Sequence, residues 1–354
     1  EKVQLGQIGI GSRGTQMLSR TIKNCADARF VALCDLKDEA LKRGLEVADR
    51  DKPKAYKDFR EMIAKEKLDG VIVATEPNNH ANVVVPVLEA DINTLAEKPM
   101  DITVEKIDAI TVAARKSKGF YQIGTQRRYN PGYVSCMKAI HEGKIGKVVF
   151  MQGQWHWPWE TSVIPTERDG GRLIEQSSHH TDVMAWAKGD KAPIECCSMG
   201  LNIDGRDPNT FTETHSATIF RWADGSVFSY THLFYLPPAF QKEKMWVFGD
   251  KGGIDLVEAL YFPRDPKAGT KQEGQRIGES SGEDWGKGTE EELCAFVAHI
   301  KSGSKELPAA NVETGRICSL MCIMGRMAMA NPATNKYEPR IIRWKDLGTT
   351  TDLA

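Results

Sequence analysis

The tightest constraint on this chain lies in its first fifteen residues. A run that reads as a strand, "KVQLGQIGI" (2–10), leads into Gly9, Gly11 and Gly14, and these lead into a helical stretch, "TQMLSRTIKN" (15–24). At this G-x-G-x-x-G spacing the three glycines do different things. Gly9 makes the tight turn, Gly11 lets backbone approach a pyrophosphate, and Gly14 lets helix and strand pack closely. The helix N-terminus then offers unpaired N–H groups and a partial positive charge to phosphate. Asp35 ends the next strand-like run, "RFVALCD" (29–35), roughly 20 residues past the last glycine, where a carboxylate accepts from the adenosine ribose and repels a 2′-phosphate. That favours NAD over NADP, with Lys37 as the nearby cation that would tolerate the extra phosphate. Asp35 also suits a helix N-cap, and both uses stay open.

The pattern continues as a parallel sheet covered by helices. "DFREMIAKEK" reads as a helix, "DGVIVAT" (69–75) as a strand, "NVVVPVLEA" as a helix despite Pro86, and "INTLAEKP" (92–99) as a strand. "EKIDAITVAARKSK" and "FYQIGTQ" add one further helix and strand. From about residue 145 the texture changes to short strand-like segments separated by Gly/Asp turns: "GKVVFMQGQWHW", "PIECCSMGLNI", "EKMWVFGDKGGIDL" and "YFPRD", with "RWADGSVFSY" reading as a hairpin. The fold class is therefore α/β: an N-terminal Rossmann domain over residues 1–125, then an α+β domain over 126–354 with a large, open, mostly antiparallel sheet. The stretch 264–288 reads as a mobile loop. "TEEELCAFVAHIKSG" and "ETGRICSLMCIMGRMAMA" read as closing helices.

A length of 354 residues fits two cores. A formal net charge of -1 with 27% charged residues and no basic blocks argues against nucleic acid as a partner. No apolar run is long enough to span a membrane, so a small molecule is the expected partner. The eight cysteines do not form a secreted-type framework. Adjacent Cys196 and Cys197 cannot easily bond each other, Cys318 and Cys322 suit a helical core, and reduced thiols are expected throughout. The first residue is Glu1 rather than Met, which fits removal of an export signal and leaves both the bacterial cytoplasm and the periplasm open.

"GIGSRG" (9–14), "ATEPNNHANVV" (74–84), "AEKPM" (96–100) and "GGRLIEQSSHHTD" (170–182), in this order, resemble the NAD(P)-dependent sugar oxidoreductases named for glucose-fructose oxidoreductase and inositol dehydrogenase (the Gfo/Idh/MocA family). The resemblance runs over nearly the whole chain. It implies hydride transfer between a secondary hydroxyl of a sugar, glycoside or cyclitol and nicotinamide. Lys98 would reach the substrate hydroxyl, where an ammonium stabilises a developing alkoxide, and its bond to Pro99 would be cis. Glu97 would lie near the nicotinamide ribose. Ser12, Arg13 and Thr75 would join Gly9, Gly11, Gly14 and Asp35 around the cofactor, and Asn78 and His80 would line its cleft unless they serve turn and cap chemistry.

If 173–187 is helical, Glu175, His179, Asp182 and Trp186 fall on one stripe at steps of four, three and four. By the resemblance His179 is the general acid/base, a role suited to imidazole near neutral pH, and Asp182 orients it or binds the sugar. The family usually has Asp where Glu175 stands, so the carboxylate arm here is one methylene longer. His180, turned roughly 100° away, is a packing residue or a neighbour of the site. A metal held by His179, His180 and Asp182 with His156 or His215 is disfavoured because adjacent helical histidines point apart, and hydride transfer needs none. "QWHWPWE" (154–160) offers Trp155 and Trp157 either to sugar C–H faces or to core packing. Arg127, Arg128, Tyr129 and Asn130 would contact cofactor or substrate, and Arg172 would meet an anionic group. The resemblance further implies C3 of a pyranoside as the oxidised carbon, with an NAD-dependent glycosidase acting by transient oxidation, or a non-catalytic sugar sensor, as alternatives. The open sheet face implies a homodimer or homotetramer.

Overall fold

A strand buried on both faces belongs in the middle of a parallel sheet covered by helices, and β1 (Val3–Ile8) is buried at five of its six positions. In the computed structural model, β2 (Ala28–Cys34), β3 (Lys54–Tyr56), β4 (Gly70–Val73), β5 (Asn93–Ala96) and β6 (Tyr121–Ile123) pair with it, all in parallel, in the order β3-β2-β1-β4-β5-β6. The connecting helices are α1 (Ser12–Asn24), α2 (Asp38–Val47), α3 (Phe59–Lys65), α4 (His80–Glu89) and α5 (Val104–Lys116). Strand order reverses between β1 and β4, and at such a switch point the sheet opens a crevice at its carboxyl end. α4 stays helical through Pro86, which costs it one backbone hydrogen bond. α2 and β3 are not among the elements expected from the sequence. α2 buries only Ala40, Leu41 and Gly44, and β3 is a three-residue edge strand.

The structure describes residues 1–159, 166–203, 213–270, 272–281 and 286–352, and the chain forms two compact units. The first is discontinuous: Glu1–Tyr129 is joined by Gly288–Arg316 and the residues from Thr350 on. The reason lies in α9 (Thr289–Ser302), whose Leu293, Phe296 and Val297 enter the same core as Leu5, Phe30, Leu33, Ile72 and Leu95. A cut after residue 125 would strip these side chains from the core they complete.

The second unit, Asn130–Lys287 with Ile317–Thr349, opens with α6 (Pro131–His141), a helix the sequence pattern does not reveal, and β7 (Val148–His156). It continues with α7 (Thr166–Asp169), α8 (Arg172–Ala187), β8 (Glu195–Leu201), β9 (His215–Arg221), β10 (Val227–Leu233), β11 (Lys242–Gly249), β12 (Gly252–Asp255), β13 (Leu260–Pro263) and β14 (Gln275–Arg276). α10 (Val312–Met329) and β15 (Ile341–Arg343) complete the elements. Among the described residues the nine strands run β14-β13-β12-β11-β7-β10-β9-β8-β15, and every pair is antiparallel except β7 with β10. The expected hairpin is β9–β10, closed by Trp222 N–H donating to Ser226 O at 2.9 Å, with Gly225 at φ +86°. The stretch 264–288 is not wholly loop, since β14 pairs with β13 within it; Lys271 and residues 282–285 lie outside the described residues, as does Glu160.

One face of this sheet is dry. Met151, Phe220, Phe228, Tyr230, Met245 and Val247 are buried there, and α8 packs against β7 and β10. Gly325 of α10 lets that helix close on Leu173, Thr218 and Phe220, where a Cβ would come within 2.7 Å of Leu173 Cδ2. Cys318 and Cys322 face this core as expected. The opposite face is open: Met199 is 67% exposed, Ile341 65% and Ile219 44%, beside Phe150 and Phe248. Among the described residues no helix is long and apolar enough to cross a membrane.

Candidate functional site

At the carboxyl end of β1 the backbone leaves no room for side chains. Gly9 has φ +91°, and a Cβ there would lie 2.4 Å from Ala74 O; a Cβ on Gly14 would lie 2.1 Å from Gly9 O. A Cβ on Gly11, by contrast, would meet nothing within 4 Å. Gly9 and Gly14 thus serve the turn and the packing, and Gly11 is the open lip of a cradle. α1 begins there with Gly11 as N-cap and no side-chain cap, which leaves its first-turn N–H groups for Ser12 and its neighbours to present to an anion. The Thr75 hydroxyl, next to this turn, is a buried polar atom without a partner. Cradle, uncapped helix end and orphaned hydroxyl are what a dinucleotide pyrophosphate would fill, so these residues fit NAD.

Asp35 braces the cradle from the side. Its carboxylate accepts from Ile10 N–H at 2.7 Å and from Lys37 N–H at 2.9 Å, and the N-cap of α2 is Lys37, not Asp35. Each oxygen keeps a lone pair for a ribose hydroxyl. Two residues that sequence reasoning does not single out hold the loop as well. Gln7 is fully buried in β1 and donates from Nε2 to Gly9 O at 3.1 Å and Gly14 O at 2.7 Å. Arg43 of α2 donates to Ile10 O at 2.6 Å and Thr15 Oγ1 at 3.1 Å. An amide inside an otherwise apolar strand is the available signal for Gln7; Arg43, one cation among many, carries none.

At the end of β5, Glu97 is buried and accepts from Arg13 Nε at 2.6 Å. This pairing raises the Arg13 pKa and fixes the guanidinium in the first turn of α1. Lys98 follows, half-buried, and precedes a cis bond to Pro99. Its loop is held from behind. His80 is fully buried, with Nδ1 2.7 Å from Pro99 O and Nε2 3.2 Å from Thr75 O. Asp101, another residue without a sequence signal, accepts from Ala81 N–H at the start of α4 at 3.0 Å and from Ile102 N–H at 2.7 Å. His80 and Asp101 therefore position the Lys98 loop, and the Asn78 carbonyl takes a hydrogen bond from Lys106. Arg128 is buried too, its guanidinium 3.5 Å from Ala309 O.

In the second unit α8 is helical from Arg172, so Glu175, His179, Asp182 and Trp186 do share a stripe. Burial along it is graded: Glu175 and His179 are half-buried, Asp182 is fully buried. The helix start is tied down by acids, with Asp169 accepting from Gly171 N–H at 2.8 Å and Glu213 from Leu173 N–H at 2.6 Å. Arg172 is buried and bonded to Asp169, so its charge is balanced within the protein. Burial pushes the Asp169 carboxyl up to about 7, aided by Glu175 and Glu213 and opposed by the Gly171 N–H and Arg172.

His180 points into the sheet. It is fully buried, with Nε2 3.1 Å from Glu243 Oε1, and its ring lies edge-on to Trp155 at 5.5 Å. Trp155 and Trp157 are both buried and stack at 5.5 Å, and Trp159, 55% exposed, meets Trp157 edge-on at 5.9 Å. Among the described residues no group of three or more His, Cys, Asp or Glu is arranged to hold a metal.

A six-stranded parallel sheet with a glycine cradle at its switch point defines a Rossmann-type dinucleotide-binding protein. The chain belongs to the Gfo/Idh/MocA family: residues 3–125 match the model of the oxidoreductase family with an NAD-binding Rossmann fold, and residues 133–255 match that of the GFO/IDH/MocA C-terminal domain. It is similar to inositol 2-dehydrogenase of Salmonella typhimurium, 29% identical over 52% of this chain and 54% of that protein, so the chain spans about half the length of this relative. It is also similar to myo-inositol 2-dehydrogenase of Thermotoga maritima, 22% identical over 95% of this chain and 99% of that one. The fold matches that of scyllo-inositol dehydrogenase from Lactobacillus casei, solved with NAD(H) and scyllo-inositol, at a TM-score of 0.78 and 17% identity, covering 98% of this chain and 100% of the other.

Two outcomes follow from these contacts. Replacing Gln7 by Leu removes both side-chain bonds to the cradle, and the dissociation constant for NAD measured by calorimetry is expected to rise about tenfold; an unchanged constant in a folded variant would refute this role. His232, buried in β10 between Tyr230 and Phe234, has its pKa lowered to about 3, first by burial and then by His180 and Arg172. The unfolded chain thus takes up this proton near the usual histidine value while the folded one does not, so stability present at neutral pH is lost as pH falls below about 6.5. Between pH 7.5 and 5 the urea-derived stability of the protein should drop by about 2 kcal/mol more than that of His232→Phe, and parallel curves would sink the assignment.

Proposed function

We propose that this protein is an NAD-dependent dehydrogenase that oxidises a secondary hydroxyl of a cyclitol or sugar ring. The observation that carries the reading is the graded stripe on α8, where half-buried Glu175 and His179 sit in line with buried Asp182, in a chain whose other unit carries the dinucleotide cradle and Lys98. His179 takes the hydroxyl proton as the substrate carbon loses hydride, and Asp182, below it on the helix, orients the imidazole. Lys98 stabilises the alkoxide that forms on the same hydroxyl. NAD, when bound, supplies the nicotinamide carbon that accepts the hydride. Arg13 and Glu97 settle the cofactor's nicotinamide half, Asp35 selects the free ribose and hence NAD over NADP, and His80 and Asp101 act through the Lys98 loop. Glu175 reaches one methylene further than the Asp that relatives usually carry there, so it sets which ring hydroxyl is presented. The names of the relatives favour a cyclitol, and the tryptophan ladder beside His180 keeps pyranosides, oxidised at C3, within the class.

We further propose that the first unit holds the cofactor, that the second binds the substrate, and that the open sheet face is covered by a second copy of the chain in a homodimer or homotetramer. Exposed Met199, Ile219, Phe150 and Ile341 form the kind of apolar face that monomers rarely leave in water.

The test is turnover of a panel of inositols, pyranosides and aryl glycosides with NAD or NADP, following reduced cofactor and released aglycone together. Lys98→Ala and His179→Ala should each lower kcat by roughly 10²- to 10⁴-fold, with His179→Ala keeping its affinity for NAD. Full activity in both would overturn the mechanism, and aglycone release without net reduced cofactor would replace it by redox-assisted glycoside cleavage. Light scattering should find a dimer or tetramer that Met199→Lys with Ile219→Lys reduces to smaller species; a monomeric parent protein would refute the interface.

A further inference from the structure

The first unit is assembled from segments far apart in sequence, and one contact lies where they meet. Cys25 caps the C-terminus of α1 and is buried; Cys294 lies on α9 and is half-buried. Their sulfur atoms are 2.6 Å apart across 269 positions of sequence. Both side chains border the same apolar cluster, among Leu293, Phe296 and Val297. Bringing α1 and α9 together has already met a demand that limits most cysteine pairs, a close approach of two sulfur atoms from separate elements.

We propose that Cys25 and Cys294 are a redox site, forming a disulfide that staples α9 to the C-terminal end of α1. The oxidant is a disulfide, either a small one such as oxidised glutathione or that of a thiol–disulfide oxidoreductase. Cys294 is the less buried of the two residues, so it reacts first. Its thiolate attacks one sulfur of the oxidant, forms a mixed disulfide and releases one thiolate. Cys25 then loses its proton, attacks the Cys294 sulfur and expels the second thiolate, so two protein thiols are oxidised and one disulfide is reduced to two thiols. Burial, the Cys294 sulfur and Glu290 all raise the Cys25 pKa, which makes the second displacement the slower one and favours Cys294 as the point of entry. Five of the other cysteines are buried, and exposed Cys197 sits next to Cys196 in one strand, where the pair cannot easily close on itself.

The bond would close a loop that contains the whole inserted part of the second unit, and long loops gain most from a cross-link. It would act on the first unit's stability, and the inference stands apart from the proposed catalytic reading. The experiment treats the purified protein, without denaturant, with oxidised glutathione, then alkylates, unfolds and counts thiols. The number of free thiols should fall by two from the eight that the sequence provides, a non-reducing peptide map should join the Cys25 and Cys294 peptides, and Tm should rise by roughly 5–10 °C, reversibly on adding dithiothreitol. Cys294→Ser, at the half-buried position, should lose the linkage and the shift together. An unchanged thiol count in the parent protein, a link through Cys197 instead, or a joined pair without any rise in Tm would each overturn the proposal; the parent-protein map decides even if Cys25→Ser fails to fold.

Discussion

The first unit depends on how closely α1 approaches the turn at the end of β1. Gly14 lies so near the Gly9 carbonyl that no β-carbon fits between them, and that proximity brings the uncapped start of the helix over the edge of the sheet. The remaining contacts of the cradle stabilise this approach. Gln7 bonds to both glycine carbonyls from inside the strand, Asp35 holds the Ile10 amide, and Arg43 holds the Ile10 carbonyl from outside. An anion site built from backbone needs such bracing, because a loop of glycines has no side chains of its own to fix its shape. The loop at Lys98 uses the opposite device: just after the lysine, a buried imidazole holds the Pro99 carbonyl and the buried Asp101 carboxylate ties the loop to the start of α4.

In the second unit one helix carries both the candidate chemistry and a face of the core. α8 buries Leu173, Ile174, Val183, Met184 and Ala185, so its register is fixed by packing, and the stripe through Glu175 and His179 is presented as a by-product of that packing. Rigid elements hold reacting groups more accurately than loops do. The acids at its start complement this. Glu213 and Asp169 satisfy amides that no N-cap side chain serves and lie at the positive end of the helix dipole.

Much of this is legible in the residues. The glycine spacing, the strand before it and Asp35 after it locate the cradle because at Gly9 and Gly14 no β-carbon fits. The steps of four and three place Glu175, His179 and Asp182 together because helical period is a property of the chain. What stays hidden has no local signature. The share of α9 in the first core depends on contacts some 269 positions apart, as between Cys25 and Cys294. The bond of Arg172 to Asp169 and the approach of His180 to Glu243 join residues with no sequence signal for each other, and burial, not residue type, decides which use a charged side chain has. A three-residue edge strand such as β3 is too short to carry a pattern.

The split first unit also has a history built into it. A chain made from its N-terminus finishes β1 to β6 early, yet Leu293, Phe296 and Val297, which fill one wall of that core, are made only after the strands β7 to β14. During synthesis the early sheet carries an apolar gap that its own segment cannot close, and the pairing of β7 with β10 must wait for its partner as well. Domains usually fold in the order in which they emerge. Here the nucleotide-binding half emerges first and is completed late, so chain order and folding order part company at α9.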